Sequence, residues 1–131
     1  MKPKPLSEKH IQETCSAFLS FDGWRRIKTD LPHLRGLGVQ EPGMCDDLFL
    51  RYTAIPKWIE APTDDFVALS ETLWIEFKSR TGRAGEKQKE WQAKERTRGA
   101  LVWVMLETFG ASIEEFQEYY RRSGLMLRNL R

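Results

Sequence analysis

Leu73-Trp74-Ile75-Glu76-Phe77-Lys78 is the stretch around which the predicted fold is arranged. Its aromatic and branched residues predict a strand, and side chains alternate across a strand, so Trp74, Glu76 and Lys78 share one face. A carboxylate and an ammonium are then neighbours, about 6.6 Å apart along the strand. An isolated Glu-x-Lys pair is usually a weak ion pair on a solvated sheet face. Its meaning here depends on which other polar residues the fold brings to the same place.

Length and composition predict a single domain over residues 1–131, because this length suffices for one core and is too short for two. The net charge is only +2, yet residues 78–98 carry eight Lys or Arg against three acidic residues. Cys15 and Cys45 lack the spacing of a disulfide framework or a zinc site, which favours a reducing compartment. The longest apolar run is too short to span a membrane, and no secretory signal follows the Lys- and Pro-rich start. We therefore expect a cytoplasmic protein with no membrane partner.

The hydrophobic pattern predicts the order helix, strand, strand, strand, helix, strand, helix, which is an α/β fold with a mixed sheet flanked by helices. Ser7 is a suitable N-cap for the first helix, and Ser112-Ile-Glu-Glu115 is a capping box for the last. The near-continuous apolar run at 100–106 predicts the most buried strand, at the centre of the sheet. A long connection over residues 53–72 is predicted to carry a small hairpin around residues 57–59. The predicted helices cover residues 8–20, 85–98 and 113–122, and the predicted strands cover residues 24–29, 46–52, 73–79 and 100–106.

Three polar features of this arrangement together predict a metal-dependent nuclease site. They are Asp46 at the start of one strand, Glu76-x-Lys78 on a neighbouring strand, and Gln88 in the basic helix that follows. Two carboxylates on adjacent strands can hold a hard divalent cation, and water and phosphate oxygens can complete its octahedron. A lysine beside the cation can orient the attacking water and oppose the charge that develops on phosphorus.

The same residues carry a resemblance to a known family. Four segments occur in this order along the chain: Gly43-Met-Cys-Asp46, Ile75-Glu76-Phe77-Lys78, Gln88-x-x-Trp91 and Gly99-Ala100-x-Val102. Together they resemble the VRR-NUC branch of the PD-(D/E)xK nuclease superfamily over most of the chain. Ser7-Glu8-x-x-Ile11-Gln12 is similar to the opening helix of that family. The resemblance implies a restriction-endonuclease-like core with a mixed four-stranded sheet.

The resemblance also implies a role for each matching residue. Asp46 and Glu76 would be metal ligands with the Phe77 backbone carbonyl beside them, Lys78 would be the catalytic lysine, and Gln88 would orient the lysine or a phosphate. Glu8, which by its position alone suits the positive end of a helix dipole, would gain a second role at the metal site.

Two features depart from the family pattern. Cys45 stands where the superfamily has proline, which removes a rigid turn but no ligand. Asp47 competes with Asp46 for the ligand role, and the connection to Glu76 is long for the family. The spacing from Gly43 and the face shared with Leu48 favour Asp46.

The implied activity is that of a Mg²⁺- or Mn²⁺-dependent DNA endonuclease acting on branched DNA such as Holliday junctions, without an organic cofactor. We expect a homodimer, because a two-fold dimer supplies the paired nicks that a four-way junction requires. We also expect the protein to be associated with the nucleoid in a bacterial or phage-infected cell. The alternatives are a flap or duplex nuclease of a phage or host recombination-repair system, and a non-catalytic DNA-binding module on the same fold. Expected DNA-binding residues are Arg80, Arg83, Lys87, Lys89, Lys94, Arg96 and Arg98. Candidate dimer contacts are Trp58, Ile59, Tyr119, Tyr120 and residues 125–127.

Overall fold

A computed structural model describes residues 7–29, 41, 43–53, 69–77 and 85–127. The elements within these ranges follow the predicted order, which confirms an α/β protein with helices flanking a mixed sheet. The predicted hairpin near residues 57–59, with Trp58 and Ile59, lies outside the described residues. The elements are α1 (Glu8–Phe21), β1 (Arg25–Lys28), β2 (Asp47–Thr53), β3 (Leu69–Glu76), α2 (Glu86–Thr97), β4 (Leu101–Val104) and α3 (Ile113–Ser123).

The sheet has the strand order β1-β2-β3-β4. The first two pairings are antiparallel, and β3 pairs with β4 in parallel across the α2 connection. The prediction that the apolar strand lies at the centre of the sheet was therefore wrong, because β4 is at an edge of the sheet that the structure describes. Its apolar character has another cause: Val102 and Val104 pack on one face of the sheet and Trp103 packs on the other.

The two faces of the sheet bury two different apolar layers. On one face, Ile11, Cys15 and Leu19 of α1 pack with Phe116 and Tyr120 of α3. Successive residues of each set lie four positions apart, so each helix presents them as one stripe. On the other face, α2 contributes a single large apolar side chain, Trp91, to a smaller layer that includes Cys45, Trp74, Val102 and Val104.

The last helix begins and packs largely as predicted. The Ser112 hydroxyl accepts a hydrogen bond from the Glu115 backbone N–H at 3.1 Å and donates one to the Glu115 carboxylate at 3.0 Å. Of the two predicted inward tyrosines, Tyr120 is fully buried and Tyr119 is 36% exposed. Tyr120 is thus part of the core of one chain, and of the two tyrosines only Tyr119 has exposed surface for a dimer contact.

Arg51 is a buried charged residue near the C-terminal end of β2. Its side chain is 3% exposed and pairs with Asp22 at 3.1 Å and with Glu71 at 2.7 Å. Its guanidinium also lies 4.3 Å from the centre of the Trp24 ring. Removing one partner of such a buried pair typically costs about 3–5 kcal/mol, so this group ties α1, β2 and β3 together.

None of the three helices that the structure describes is both long enough and apolar enough to cross a membrane.

Candidate active site

Asp46 and Glu76 lie at the same end of the sheet. Leu48 on β2 is paired with Trp74 on β3, and continuing this antiparallel register by two residues places Asp46 opposite Glu76. The Asp46 carbonyl accepts a hydrogen bond from the Thr29 backbone N–H at 2.9 Å, which continues the pairing of β2 with β1 beyond Asp47. Both candidate ligands thus sit where the sheet meets the loop that precedes β2.

The pKa of the Cys45 thiol responds to the negative charge of Asp46 and Glu76. Burial raises the pKa of the Cys45 thiol well above its usual range, and the Glu76 and Asp46 carboxylates raise it further. A hydrogen-bonding interaction with Glu76 acts in the same direction. Cys45 therefore stays a neutral thiol, because burial disfavours the thiolate and the two nearby carboxylates disfavour it further.

Glu76 itself is 6% exposed, which separates it from an ordinary surface glutamate. The Gln88 side-chain amide donates to its Oε1 atom at 3.4 Å. The side-chain oxygen of Gln88, Oε1, accepts a hydrogen bond from the Gly85 backbone N–H at 3.1 Å, at the N-terminus of α2. Gln88 therefore connects the first turn of α2 to the Glu76 carboxylate, a contact that the sequence had not predicted, since it gave Gln88 the lysine or a phosphate as its partner.

The loop before β2 is held against α2 by a close approach at Gly43. This glycine has φ +82°, and a Cβ atom built on it would lie 2.2 Å from the Lys87 carbonyl oxygen and 2.8 Å from the Gln88 backbone nitrogen. A second contact comes from Trp91, whose indole N–H donates to the Glu41 carboxylate at 3.0 Å. The absent side chain at Gly43 thus sets the distance between Asp46 and the helix that carries Gln88.

Asp47, the competing ligand, lies on the opposite face of the sheet from Glu76. It is paired with Ile75, which belongs to the α1 and α3 layer, and it is 1% exposed. Arg26 and Gln12 both donate hydrogen bonds to its carboxylate. Sequence reasoning gave no role to Arg26, because the pairing of β1 with β2 brings it to Asp47 and that register cannot be read from either strand alone.

Glu8 is the first residue of α1, and its side chain is exposed. The N-cap is Ser7, whose hydroxyl accepts a hydrogen bond from the His10 backbone N–H at 3.1 Å. Glu8 precedes Gln12 by one helical turn and is thus on the same side of α1. Gln12 in turn lines a polar cavity of about 200 Å³ together with Lys28, Asp46 and Asp47.

Phe77 is the last described residue after β3, and its side chain is buried in the α1 and α3 layer. The preceding carbonyl, that of Glu76, accepts a hydrogen bond from the Met105 backbone N–H at 2.9 Å. Lys78, the predicted catalytic lysine, lies outside the described residues, as do Arg80 and Arg83.

The described basic residues of the predicted DNA-binding segment are exposed on α2 and at its C-terminal end. Two of them have partners within the chain: Arg96 donates to the Val102 carbonyl at 3.0 Å, and Arg98 pairs with Glu95 at 2.5 Å. Arg96 therefore also links α2 to β4. The exposed set is Lys87, Lys89, Lys94, Arg96 and Arg98.

The donor atoms of this site suit a hard cation. No group of three or more His, Cys, Asp or Glu side chains that could hold a metal ion occurs in the described ranges. Mg²⁺ is commonly held by one or two carboxylates while waters fill its remaining positions, so two carboxylates meet its requirement. The pair of Asp46 and Glu76 therefore fits Mg²⁺ or Mn²⁺ better than zinc, which favours nitrogen and sulfur ligands.

Comparisons of the chain with models of protein families, with curated proteins and with solved structures found no match.

Proposed function

We propose that this chain is a Mg²⁺- or Mn²⁺-dependent DNA endonuclease with a restriction-endonuclease-like core of the VRR-NUC kind, acting on branched DNA. The observation that carries the proposal is the register that places Asp46 opposite Glu76, with Gln88 of the basic helix in contact with Glu76. The order of seven elements is the one that the hydrophobic pattern predicted, and a mixed sheet flanked by helices is compatible with the core that the resemblance implies.

Burial weighs against the simplest alternative, a solvated ion pair on a sheet face. Such a pair needs exposed side chains, whereas Glu76 is 6% exposed. Burying a carboxylate is costly, and proteins tend to place such groups where the chemistry of a site requires them. A module that only bound DNA would gain nothing from carboxylates facing a phosphate backbone.

Each residue has a role in the proposed hydrolysis. Asp46 and Glu76 would hold the cation, with the Phe77 carbonyl beside them. A bound divalent cation would polarise the scissile phosphate and lower the pKa of the attacking water. Gln88 keeps the Glu76 carboxylate in place through its amide contact. Lys78, two residues after Glu76, would orient the water and oppose charge on the phosphate.

The basic side chains of α2 suit the backbone of the substrate. Phosphate contacts from Lys and Arg supply most non-specific DNA affinity, and they weaken as salt rises. Exposed Lys87, Lys89 and Lys94 lie on the same helix as Gln88. DNA held along α2 would thus run beside Asp46 and Glu76.

Branched DNA and a homodimer form the second half of the proposal. The sequence carries one Asp46, Glu76 and Lys78 set, while resolving a four-way junction takes two nicks related by a two-fold axis. An isologous dimer supplies the second set without any new residue.

Cleavage of three matched DNA substrates tests both halves. Linear duplex, flap and four-way junction DNA of the same sequence are incubated with and without Mg²⁺, and light scattering at micromolar concentration gives the oligomeric state. We expect Mg²⁺-dependent cleavage that is fastest on the junction, and its loss in Glu76→Gln. Glu118→Gln is the matched control, because Glu118 is exposed on α3 and pairs only with the neighbouring Arg121 and Arg122 among the described residues.

The possible results separate the alternatives. Binding of DNA without cleavage under any metal condition would support a non-catalytic module. A monomer that cuts linear duplex as fast as the junction would retain the nuclease proposal and reject its branched substrate. Cleavage that Glu76→Gln leaves unchanged would reject the proposed site.

A further inference from the structure

Asp47 carries a buried carboxylate that belongs to a hydrogen-bonded group of its own. Arg26 Nε donates to Asp47 Oδ1 at 2.7 Å, and Arg26 Nη2 donates to Oδ2 at 3.4 Å. Gln12 Nε2 donates to Oδ2 at 2.5 Å. The side chain of Asp47 is 1% exposed and that of Arg26 is 15% exposed, so the pair is largely removed from water.

These contacts occupy the Asp47 carboxylate, so it is a poor candidate for a metal ligand. Each of its oxygens already accepts a hydrogen bond from the Arg26 guanidinium, which also balances its charge. A cation bound at Asp47 would have to displace that guanidinium or lie beside it, and like charges repel. The two adjacent aspartates are therefore not equivalent: Asp47 faces inward, and Asp46 is opposite Glu76.

The residues around Asp46 are held at consecutive positions. The Cys45 carbonyl accepts a hydrogen bond from the Thr29 hydroxyl at 2.5 Å, and the Asp46 carbonyl accepts one from the Thr29 N–H at 2.9 Å. The following residue, Asp47, is held by the hydrogen bonds that its carboxylate accepts from Arg26 and Gln12. Before Asp46 in the chain, Gly43 is packed against the backbone of α2. A candidate ligand between such fixed neighbours has little freedom to move.

We infer that Gln12, Arg26 and Asp47 form a positioning group that sets the place of Asp46 for metal binding. The inference rests on the proposed function, since it concerns the same site. Gln12 joins the group to α1, one turn after Glu8, so the hydrogen bond to Asp47 also fixes the helix that carries Glu8. The group and the site are contiguous, because Gln12, Asp46 and Asp47 line one cavity.

The test compares metal binding with cleavage in four full-length variants. Asp47→Asn and Gln12→Met weaken the group, and Asp46→Asn removes the candidate ligand. Glu13→Gln is the matched control, because it removes the outer partner of Arg26, at 3.2 Å and half exposed, and leaves the contacts with Asp47. Binding of Mn²⁺ without DNA is measured from the loss of the free-ion paramagnetic resonance signal. The Mg²⁺ concentration for half-maximal cleavage is measured separately, and thermal melting followed by circular dichroism reports folding.

A positioning role predicts a graded result. Groups that hold metal ligands in place typically change metal affinity by 10- to 100-fold, so we expect Asp47→Asn and Gln12→Met to weaken Mn²⁺ binding about tenfold. High Mg²⁺ should restore most of their cleavage rate, whereas Asp46→Asn should not be rescued. Glu13→Gln should behave as the wild type.

Three results would overturn the inference. Wild-type Mn²⁺ affinity in folded Asp47→Asn and Gln12→Met would show a structural group only. Loss of binding in Asp47→Asn with binding kept in Asp46→Asn would make Asp47 the ligand. A wild-type chain that neither binds Mn²⁺ nor cleaves DNA would remove the proposed function, and this inference with it. If Asp47→Asn fails to fold, the uncharged change Gln12→Met decides.

Discussion

Replacing Gly43 by alanine is the sharpest test of how the loop before β2 is positioned. The new methyl group would lie 2.2 Å from the Lys87 carbonyl oxygen and 2.5 Å from the carbonyl carbon. Both atoms belong to the backbone of α2, so neither can move aside as a flexible side chain could. The loop must withdraw from α2, and Asp46, three residues later, must move with it.

The cost has two parts. A residue with a side chain at φ +82° loses about 1–2 kcal/mol relative to glycine. Ordinary contact distances are near 3.5 Å, so relief of the clash needs a shift of about 1 Å, and overpacking of this kind costs about 1–3 kcal/mol. The two costs together are about 3.5 kcal/mol at their midpoints, so at about 4 °C per kcal/mol for a domain of this size Gly43→Ala should lower the Tm by roughly 14 °C.

Gly124→Ala supplies the control. Gly124 has φ +81°, almost the same value, but no atom lies within 4 Å of the Cβ position. Gly124→Ala should have only the backbone cost of about 1.5 kcal/mol, so its Tm should fall by roughly 6 °C. Its cleavage should match the wild type, whereas a misplacement of about 1 Å at Asp46 should slow Gly43→Ala about 100-fold. Melting curves and single-turnover cleavage of a four-way junction measure both quantities.

Equal losses of Tm in the two variants would refute the proposed clash between Gly43 and α2. A large loss of Tm with full cleavage at a temperature where Gly43→Ala is folded would refute the link from this contact to Asp46.

Three further predictions concern the site, the DNA surface and the core. Asp46→Asn and Lys78→Ala should each abolish Mg²⁺-dependent cleavage, because they remove a proposed ligand and the proposed catalytic lysine. Asp46→Asn should also leave the urea midpoint within error, because Asp46 is only partly buried. Arg98→Ala should weaken binding to all sequences alike and reduce the salt slope of log K by about 1, as measured by fluorescence anisotropy; a moved cut site would instead show that Arg98 reads DNA geometry. Burial raises the pKa of the Cys15 thiol from 9.0 to about 12, so the stability it contributes below pH 9 is lost as pH rises. At pH 10 this loss is on the order of 1 kcal/mol, and Cys15→Ala should therefore lose less stability than the wild type between pH 8 and pH 10 in urea titrations.

Helix boundaries could be predicted because their signals are local. Ile11, Cys15 and Leu19 recur at helical spacing, and all three are buried in α1. The Ser112 and Glu115 pair caps α3 as its sequence indicated. Such patterns depend on residues within one or two turns of each other, so a single sequence contains all the information they need.

The central place predicted for the apolar strand was wrong for a physical reason. An apolar run shows that both faces of a strand are covered, and β4 is covered by α2 on one face and by α1 and α3 on the other. Hydrogen-bonded neighbours lie in the perpendicular direction, and hydrophobicity carries no information about them. The run therefore predicted burial correctly and strand order incorrectly.

By itself the sequence determined the kind and order of the elements, and the chemistry available at Asp46, Glu76 and Gln88. Only the tertiary structure decided which of these side chains meet. The register of β2 on β3 puts Asp46 opposite Glu76, the pairing with β1 turns Asp47 toward Arg26, and Gly43 sets the approach of α2. These choices join residues far apart in the chain, and a slip of one residue would move every side chain of a strand to the other face. Local pattern could therefore propose Asp46 and Glu76 as candidate ligands, whereas only long-range packing could place them opposite each other.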